Sequence, residues 1–192
     1  GTQIFNADIL LNNIRIGRCA ANNINNTAVG NNTLSNAAAT GVGNSAFGAG
    51  ALALINNGDD NTALGFGTLA LNISGFNNTA VGQSALANTT GSSNTAVGQA
   101  AMQTNTTGIN NTVMGKDALF TNLSGQSNTA IGHFAARLTT GTRNTALGQN
   151  SLKDNSNGED NIAFGYRALS YTTGSNNIGI GSNTIIAATF GN

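Results

Sequence analysis

The chain has 192 residues, and its seven basic and seven acidic side chains give a formal net charge of zero. That balance argues against the basic surface by which proteins bind nucleic acid, so no nucleic-acid partner is expected. The single cysteine, Cys19, excludes a disulfide within the chain. Because no apolar run reaches about 18 residues, the sequence predicts no membrane insertion.

A five-residue unit recurs along nearly the whole chain. It reads Asn, usually Thr, a small residue, a larger apolar residue and then Gly, and from Asn26 onward its copies lie 16 to 18 residues apart. The eleven copies begin at Asn13, Asn26, Asn44, Asn61, Asn78, Asn94, Asn111, Asn128, Asn144, Asn161 and Asn177. A repeat of this regularity predicts one structural unit per period, each stacked on the next.

Two further features are locked to this unit. From Asn44 onward a glycine precedes each repeat asparagine by three residues, as in Gly108 before Asn111, and a pair such as Ala118-Leu119 follows each unit. All variation in repeat length falls between this pair and the turn glycine. Because insertions are tolerated in exposed loops and disfavoured in hydrogen-bonded ladders, this segment is predicted to be an outer loop.

The period itself indicates the architecture. It is too short for the helix pairs of helical solenoids, which take roughly 33–47 residues, and it suits two short strands with two turns. The fold class is therefore predicted to be an all-β solenoid of about eleven coils, mostly of 16–17 residues. We expect residues 1–12 to form a lead-in or cap and residues 13–192 a single solenoid domain. At the spacing of neighbouring strands, the rod would be on the order of 50 Å long.

Alternation along a strand places Thr and the larger apolar residue of each unit on one face and Ala on the other. The apolar residues are therefore expected to form an internal ladder with the Leu of each pair, and stacked asparagine amides are expected to form a second ladder. Ladder members include Val81, Val97, Ile131, Leu147, Asn61, Asn78, Asn94, Asn111, Asn128 and Asn144.

A solenoid coil of this size has a thin core, and chains with little core often depend on oligomerisation. The alanines would form a strip on the outer face, where another copy of the chain could approach closely. We therefore predict a subunit interface along this strip. Its candidate residues are Ala63, Ala80, Ala96, Ala130 and Ala146.

The pattern Asn-Thr-Ala-Val-Gly-x-x-Ala-Leu resembles the head repeat of trimeric autotransporter adhesins, typified by the Yersinia adhesin head. It is also similar to Asn-Thr-Ala-Val-Gly repeats of phage tail fibres. The closest units are Asn161–Gly165 and Asn177–Gly181. The resemblance implies a left-handed parallel β-roll, an elongated homotrimer and a role in attachment. Thr replaces Val in most copies, which predicts a more polar interior of the roll. The period is longer than in the adhesin heads, which favours a fibre while leaving phage and bacterial surfaces open.

Few residues suggest chemistry. The run Gly41–Ala46 matches a dinucleotide-binding pattern but is explained by the repeat, and His133 occupies a polar surface position of the repeat. The acidic pairs Asp59-Asp60 and Glu159-Asp160 are predicted to be solvated, with Arg143 pairing with Asp160 from the previous coil. No catalytic, metal-binding or cofactor-binding residue is predicted, and no cofactor is expected.

The main functional hypothesis is a receptor-facing segment of an extracellular homotrimeric fibre or adhesin, on a phage virion or a bacterial surface. Its partner would be a glycan or protein receptor on a host surface. Candidate contacts lie in or beside the variable loops: Phe120, Asn122, Arg137, Lys153, Asn155 and Tyr171.

The alternatives are a self-assembling filament or spacer, an ice-binding solenoid and a glycan-degrading enzyme. An enzyme of that kind needs paired carboxylates, which the chain offers at only two places. Ice binding requires threonines that face outward, whereas the predicted alternation places them inward. The threonines concerned are Thr27, Thr62, Thr79, Thr95, Thr112, Thr129 and Thr145.

Overall fold

A computed structural model describes residues 9–11, 14–17 and 25–184. Within these ranges the chain is all-β and forms no helix, which confirms the predicted fold class at the level of a β-solenoid. Asn13 and Cys19 lie outside the described residues. The strands are β1 Ile9–Leu11, β2 Ile14–Gly17, β3 Thr27–Gly30, β4 Ser45–Phe47, β5 Thr62–Leu64, β6 Thr79–Val81, β7 Thr95–Val97, β8 Thr112–Met114, β9 Thr129–Ile131, β10 Thr145–Leu147, β11 Ile162–Phe164 and β12 Ile178–Ile180.

All twelve strands belong to one sheet in chain order. From β3 to β12 each strand pairs in parallel with the next, and equivalent residues of the repeat lie side by side, as Ala80 does with Ala96. Nine parallel steps at about 4.8 Å each give a rod of about 43 Å along the described solenoid.

The first predicted coil is not part of this parallel stack. Strand β2, which carries the repeat copy that begins at Asn13, pairs antiparallel with both β1 and β3. The prediction of eleven parallel coils is therefore wrong by one copy, because this copy returns along the sheet edge as part of a hairpin. Ten parallel strands remain.

Each coil contains one strand where two were predicted. The segment with the Ala-Leu pair is a series of turns, although its amides still bond to the neighbouring coil: the Leu86 N–H donates to Ala101 O at 3.0 Å, and the Met102 N–H donates to Ala118 O at 2.9 Å. This side of the rod is held by a backbone ladder without extended strands.

The predicted alternation is present, but the predicted faces are reversed. Thr and the larger apolar residue of each unit point outward, and the central residue is buried without measurable exposure in most coils. Thus Leu64 is 49% exposed, while its neighbour Ala63 is fully buried. The internal apolar ladder predicted from Val81, Val97, Ile131 and Leu147 is wrong. So is the outer strip predicted from Ala63, Ala80, Ala96, Ala130 and Ala146.

The reversal follows from the width of the coil. Opposite the strand, the Leu of each pair fills the interior, and Leu52, Leu69, Leu86, Leu119, Leu152 and Leu169 are fully buried. The central strand residue packs into the same core cluster as these leucines. A methyl group, or at most the side chain of Val113, occupies the space that remains on the strand side. Larger side chains are placed on the outer face.

Left-handed backbone conformations close each coil. Three positions recur: the residue before the repeat Asn, the second residue after the unit's Gly, and the Leu of the Ala-Leu pair, as in Asn110 (φ 59°), Asp117 (φ 53°) and Leu119 (φ 47°). Such conformations are costly for residues with a side chain and most costly for β-branched ones. Among the described non-glycine residues with positive φ, none is Val, Ile or Thr.

The glycine that ends each unit is required for a second reason. Gly115 has φ of 140°, and a Cβ added there would lie 2.4 Å from the carbonyl oxygen of Gly132 in the next coil. That clash is with backbone, which the ladder holds in place. Glycine therefore permits the close axial approach of the coils as well as the turn.

The backbone at Leu119 can be tested by comparing Leu119→Ile with Leu119→Met. Both changes nearly preserve volume, and Met already occupies this position at Met102, where φ is 53°. We expect Leu119→Ile to lower the free energy of unfolding by about 2 kcal/mol more than Leu119→Met, because a β-branched side chain is strained at positive φ. Urea denaturation measures the difference, and equal losses would contradict the explanation.

Candidate functional site

The repeat asparagines form a continuous hydrogen-bonded ladder inside the solenoid. Asn111 is 1% exposed. Its Nδ2 donates to Asn94 Oδ1 at 3.0 Å and to Gly125 O at 3.0 Å, and its Oδ1 accepts from the Asn128 N–H at 2.9 Å. One side chain thus joins three coils and the turn glycine, and both of its polar ends have partners.

The same pattern runs along the rod. Each member of the predicted ladder donates to the carbonyl of a turn glycine and accepts the backbone N–H of the next asparagine. The amides of these side chains are used in hydrogen bonds within the solenoid, so the ladder offers a ligand no free polar group. Its members here are Asn61, Asn78, Asn94, Asn111, Asn128 and Asn144.

Two predicted receptor contacts belong to a second internal corner. Asn122 and Asn155 are fully buried. The Asn122 Oδ1 accepts the Gly125 N–H at 2.8 Å, and the Asn155 Oδ1 accepts the Gly158 N–H at 2.7 Å. The prediction that these residues contact a receptor is wrong, because their amides cap the outer turn from within.

This corner also explains the two common repeat lengths. Four of the five 17-residue coils place Asn three residues before the turn glycine, as Asn72 does with Gly75, and the fifth has Ile55 there. The 16-residue coil of Thr89 instead places Thr two residues before Gly91. The Thr89 Oγ1 accepts the Gly91 N–H at 3.0 Å. A shorter side chain placed closer to the glycine satisfies the same donor, so the inserted residue leaves the interior unchanged.

The outward-facing strand residues form what we call the outer sheet face. One of its columns is mainly threonine, and the other consists of larger apolar residues. Exposed members include Leu64 at 49%, Met114 at 52% and Phe164 at 51%. The threonine column contains Thr27, Ser45, Thr62, Thr79, Thr95, Thr112, Thr129, Thr145, Ile162 and Ile178, and the apolar column contains Val29, Phe47, Leu64, Val81, Val97, Met114, Ile131, Leu147, Phe164 and Ile180.

Three of the remaining receptor candidates are brought together on another face. Phe120, Arg137 and Lys153 occupy the same position in consecutive coils, because the Thr121 N–H bonds to Arg137 O and the Leu138 N–H bonds to Lys153 O. All three are half-buried. Tyr171, which is 47% exposed, lies one coil further along in the adjacent column.

Sequence reasoning missed two members of this group. The ring of Phe134 stacks on His133 with centroids 3.8 Å apart, and the Arg137 guanidinium lies 5.1 Å from the Phe134 ring centroid. His133 is exposed, in agreement with its predicted surface position. The signal that could have found the group is register: Phe134 precedes Arg137 by three residues, and Phe120 precedes it by one coil.

The predicted ion pair of Arg143 with Asp160 is confirmed and includes Glu159. Arg143 Nε donates to Asp160 Oδ1 at 2.7 Å, and its Nη2 donates to Glu159 Oε2 at 2.9 Å. The hydrogen bond from Arg143 lowers the pKa of Asp160, and the same bond raises the pKa of Arg143. The cluster lies at the solvent, where such pairs contribute little to stability.

The other sequence candidates have structural partners. The Asp59 Oδ1 accepts the Val42 N–H at 2.8 Å. In the run Gly41–Ala46, Asn44 belongs to the internal ladder and Ala46 to strand β4, so a strand follows the glycines where a dinucleotide site requires a helix. Among the residues that the structure describes, no three His, Cys, Asp or Glu side chains are grouped as metal ligands.

Within the same described ranges, no helix is long and apolar enough to cross a membrane. Comparisons with protein-family models, curated proteins and solved structures find no match to this chain. The functional argument therefore rests on the residues and their geometry.

The internal ladder can be tested with neighbouring substitutions, Asn111→Asp and Asn110→Asp. The new carboxylate at position 111 would lack the two N–H donors of the asparagine amide and would face the oxygens of Asn94 and Gly125. We therefore expect the free energy of unfolding to fall by about 3 kcal/mol or more near neutral pH. Position 110 is exposed, and its equivalents are already Asp60 and Asp160, so Asn110→Asp is expected to change stability by less than about 0.5 kcal/mol.

The loss at position 111 is also expected to depend on pH. Burial among acceptor oxygens raises the pKa of the new carboxyl group above its value in the unfolded chain. The folded variant is then most stable below the pKa that this carboxyl group has in the unfolded chain. It loses stability as the pH rises through the pKa that the group has in the folded chain. Chemical denaturation at pH 4 and pH 7 measures this, and a pH-independent loss would contradict the buried environment.

The ion-pair cluster gives a separate pH prediction. Because Arg143 lowers the pKa of Asp160, the ion pair stabilises the fold above the pKa that Asp160 has in the unfolded chain. This stabilisation disappears as the pH falls through the pKa of Asp160 in the folded chain. We expect Arg143→Asn to raise the pKa of Asp160 towards that of an ordinary aspartate, as followed by NMR titration of the carboxyl carbon. Lys153→Gln removes a cation elsewhere and serves as the control. An unchanged Asp160 titration in Arg143→Asn would refute the assignment.

Proposed function

We propose that the chain is a structural, receptor-facing segment of a homotrimeric fibre or adhesin, carried outside the cell on a phage tail fibre or a bacterial surface. In this role the solenoid supplies rigidity and reach, and attachment results from surface contacts repeated in three copies. The left-handed sense of the roll and the number of chains follow from the resemblance of the repeat to adhesin heads and tail-fibre repeats.

The observation that carries the proposal is the apolar column of the outer sheet face. Apolar side chains occupy this column in all ten parallel strands, and seven large residues of the outer sheet face are at least 40% exposed: Phe47, Leu64, Met114, Ile162, Phe164, Ile178 and Ile180. Scattered exposed apolar residues are normal, but a contiguous stripe of this kind marks an interaction surface. A second copy of the chain presents the same stripe with the same axial spacing.

This places the proposed subunit interface on a different face from the one predicted from sequence. The alanines are already buried within one chain, so their small size serves the interior of the coil. The argument from a thin core still applies, because the buried side chains of one coil are an alanine or valine, an Ala-Leu pair and polar corner residues. Association through the outer sheet face would add apolar burial to every coil at once.

Attachment by a trimeric rod needs no single strong site. Three chains display each surface feature three times, and linked weak contacts gain affinity through effective concentration. The exposed residues available for such contacts lie away from the outer sheet face, in the columns that contain Arg137, Lys153 and Tyr171. A host-surface receptor would engage these columns while the sheet face is covered.

One observation favours ice binding as a second candidate. The threonines predicted to point inward instead form an outward column at regular axial spacing. A lattice-matching surface must also be flat, however, and the parallel apolar column changes between Val97, Met114 and Phe164 in size. This irregularity suits packing against protein better than matching a crystal plane.

Light scattering coupled to size exclusion tests the proposal. The expected mass is three times the chain mass of 19.2 kDa, and it should persist on dilution. Val97→Glu would place a charge in the apolar column and is expected to reduce the mass to that of one chain. Gln99→Glu, two residues away on another face, is the matched control and should leave the trimer intact.

A stable single chain in the wild type would contradict the trimer. Freezing-point hysteresis measured on that single chain would then favour the ice-binding candidate, and its absence would leave neither function supported by the outer sheet face.

A further inference from the structure

Aromatic and cationic side chains lie together in a group that we call the aromatic–cation patch: Phe120, His133, Phe134, Arg137 and Lys153. A separate cation–π pair, Arg167 with Tyr166, lies in the next coil. The patch spans three consecutive coils on a face other than the outer sheet face. In the two preceding coils of the Phe120 column the residues are Ala87 and Gln103. The repeat therefore does not require aromatic or charged residues there.

The guanidinium of Arg137 is held between two rings. Its Cζ lies 5.7 Å from the centroid of Phe120 and 5.1 Å from that of Phe134, within cation–π range of both. His133 stacks on Phe134 with an interplanar angle of 28° and extends the aromatic surface outward. The arginine is thus preorganised, which reduces the entropy that a ligand would have to remove on binding.

The charge of Arg137 is not neutralised within the described residues. The ion pairs there join Arg143 to Glu159 and Asp160, and Lys153 to Asp154 at 3.8 Å. The Nε of Arg137 is buried and has no hydrogen-bond partner. Because this atom is out of reach of solvent, a ligand acceptor would have to bind the Nη nitrogens of Arg137.

The chemistry of the patch selects a ligand class. Aromatic side chains such as the exposed His133 suit the apolar C–H face of a sugar ring, and the planar guanidinium matches a carboxylate. The carboxylate of Asp154 lies 3.8 Å from Lys153 Nζ and moderates the positive charge, which favours a singly charged carboxylate over a phosphate group of higher charge.

We propose that the aromatic–cation patch binds an acidic saccharide, with a sugar ring against its aromatic side chains and the carboxylate of that sugar on Arg137. Lys153 adds a second cation one coil further along the rod. This inference rests on the proposed attachment role and names the receptor chemistry for it. All residues of the patch belong to one chain, so binding does not depend on the number of subunits.

Calorimetric titration of the full chain tests this with three probes: hexagalacturonate, the neutral maltohexaose, and triphosphate as an anion without sugar. We expect hexagalacturonate to bind more tightly than either of the others. Stronger binding of triphosphate would overturn the saccharide assignment, because charge alone would then account for it. Equal binding of maltohexaose would overturn the role of Arg137.

Variants are chosen from residues that the repeat already uses at the same positions. Arg137→Gln copies Gln103, and Phe134→Asn copies Asn150, which has the same positive φ. Each is expected to weaken hexagalacturonate binding at least about tenfold. Arg143→Asn removes a cation that is already paired on another corner, and it should change the affinity by less than about twofold.

The two proposals fail separately. A single chain that binds hexagalacturonate through Arg137 and Phe134 would support the patch and contradict the trimer. A trimer without such binding would contradict the patch alone. Thermal unfolding shows whether Arg137→Gln and Phe134→Asn each fold, and if one does not, the other is used for the test. An unchanged affinity for hexagalacturonate in a folded variant would overturn the proposed binding by the patch.

Discussion

The structure depends on satisfying polar groups inside a core that is only a few side chains wide. From Asn26 to Asn161 each coil buries the repeat asparagine, and its amide, as at Asn111, supplies the donors and the acceptor that the adjacent turn and the next coil require. Water cannot substitute for these partners in so narrow an interior, and an unpaired buried amide would cost more than one hydrogen bond contributes. The distance from the turn glycine to the asparagine is therefore invariant from Asn44 onward, whereas the segment before that glycine varies in length.

Coil closure imposes the second constraint. Three left-handed positions per coil bend the chain, and one of them is the buried Leu that fills the core. The same residue thus turns the backbone and fills the core. At Leu119, for example, only a side chain without a branch at Cβ is compatible with both roles. This explains why the turn side of the rod uses Leu, Met and Ala at that position while the strand side accepts Ile and Val.

The sequence predicts the period, the parallel stacking and the Asn ladder, because these features appear directly as spacing. It also indicates which face of the strand is buried. Asn61 and Ala63 are two residues apart in an extended segment, so a buried asparagine implies a buried alanine and an outward Leu64. Left-handed φ at Leu119 could not be anticipated, since an Ala-Leu pair is equally compatible with a strand. The burial of Asn122 and Asn155 does not follow from the sequence, because the variable length of their segment indicates exposure.

These constraints divide the surface of the rod by function. The interior columns are fixed by the ladder, and the outer sheet face receives the larger apolar residue of each repeat unit, which the thin core excludes. The columns beyond the Ala-Leu pair are under neither requirement, since they hold Ala87, Gln103, Phe120, Arg137 and Lys153 in successive coils. A ligand-specific surface can therefore change there from coil to coil without disturbing closure. The aromatic–cation patch occupies such a free column, whereas the continuous apolar column lies where every coil must contribute.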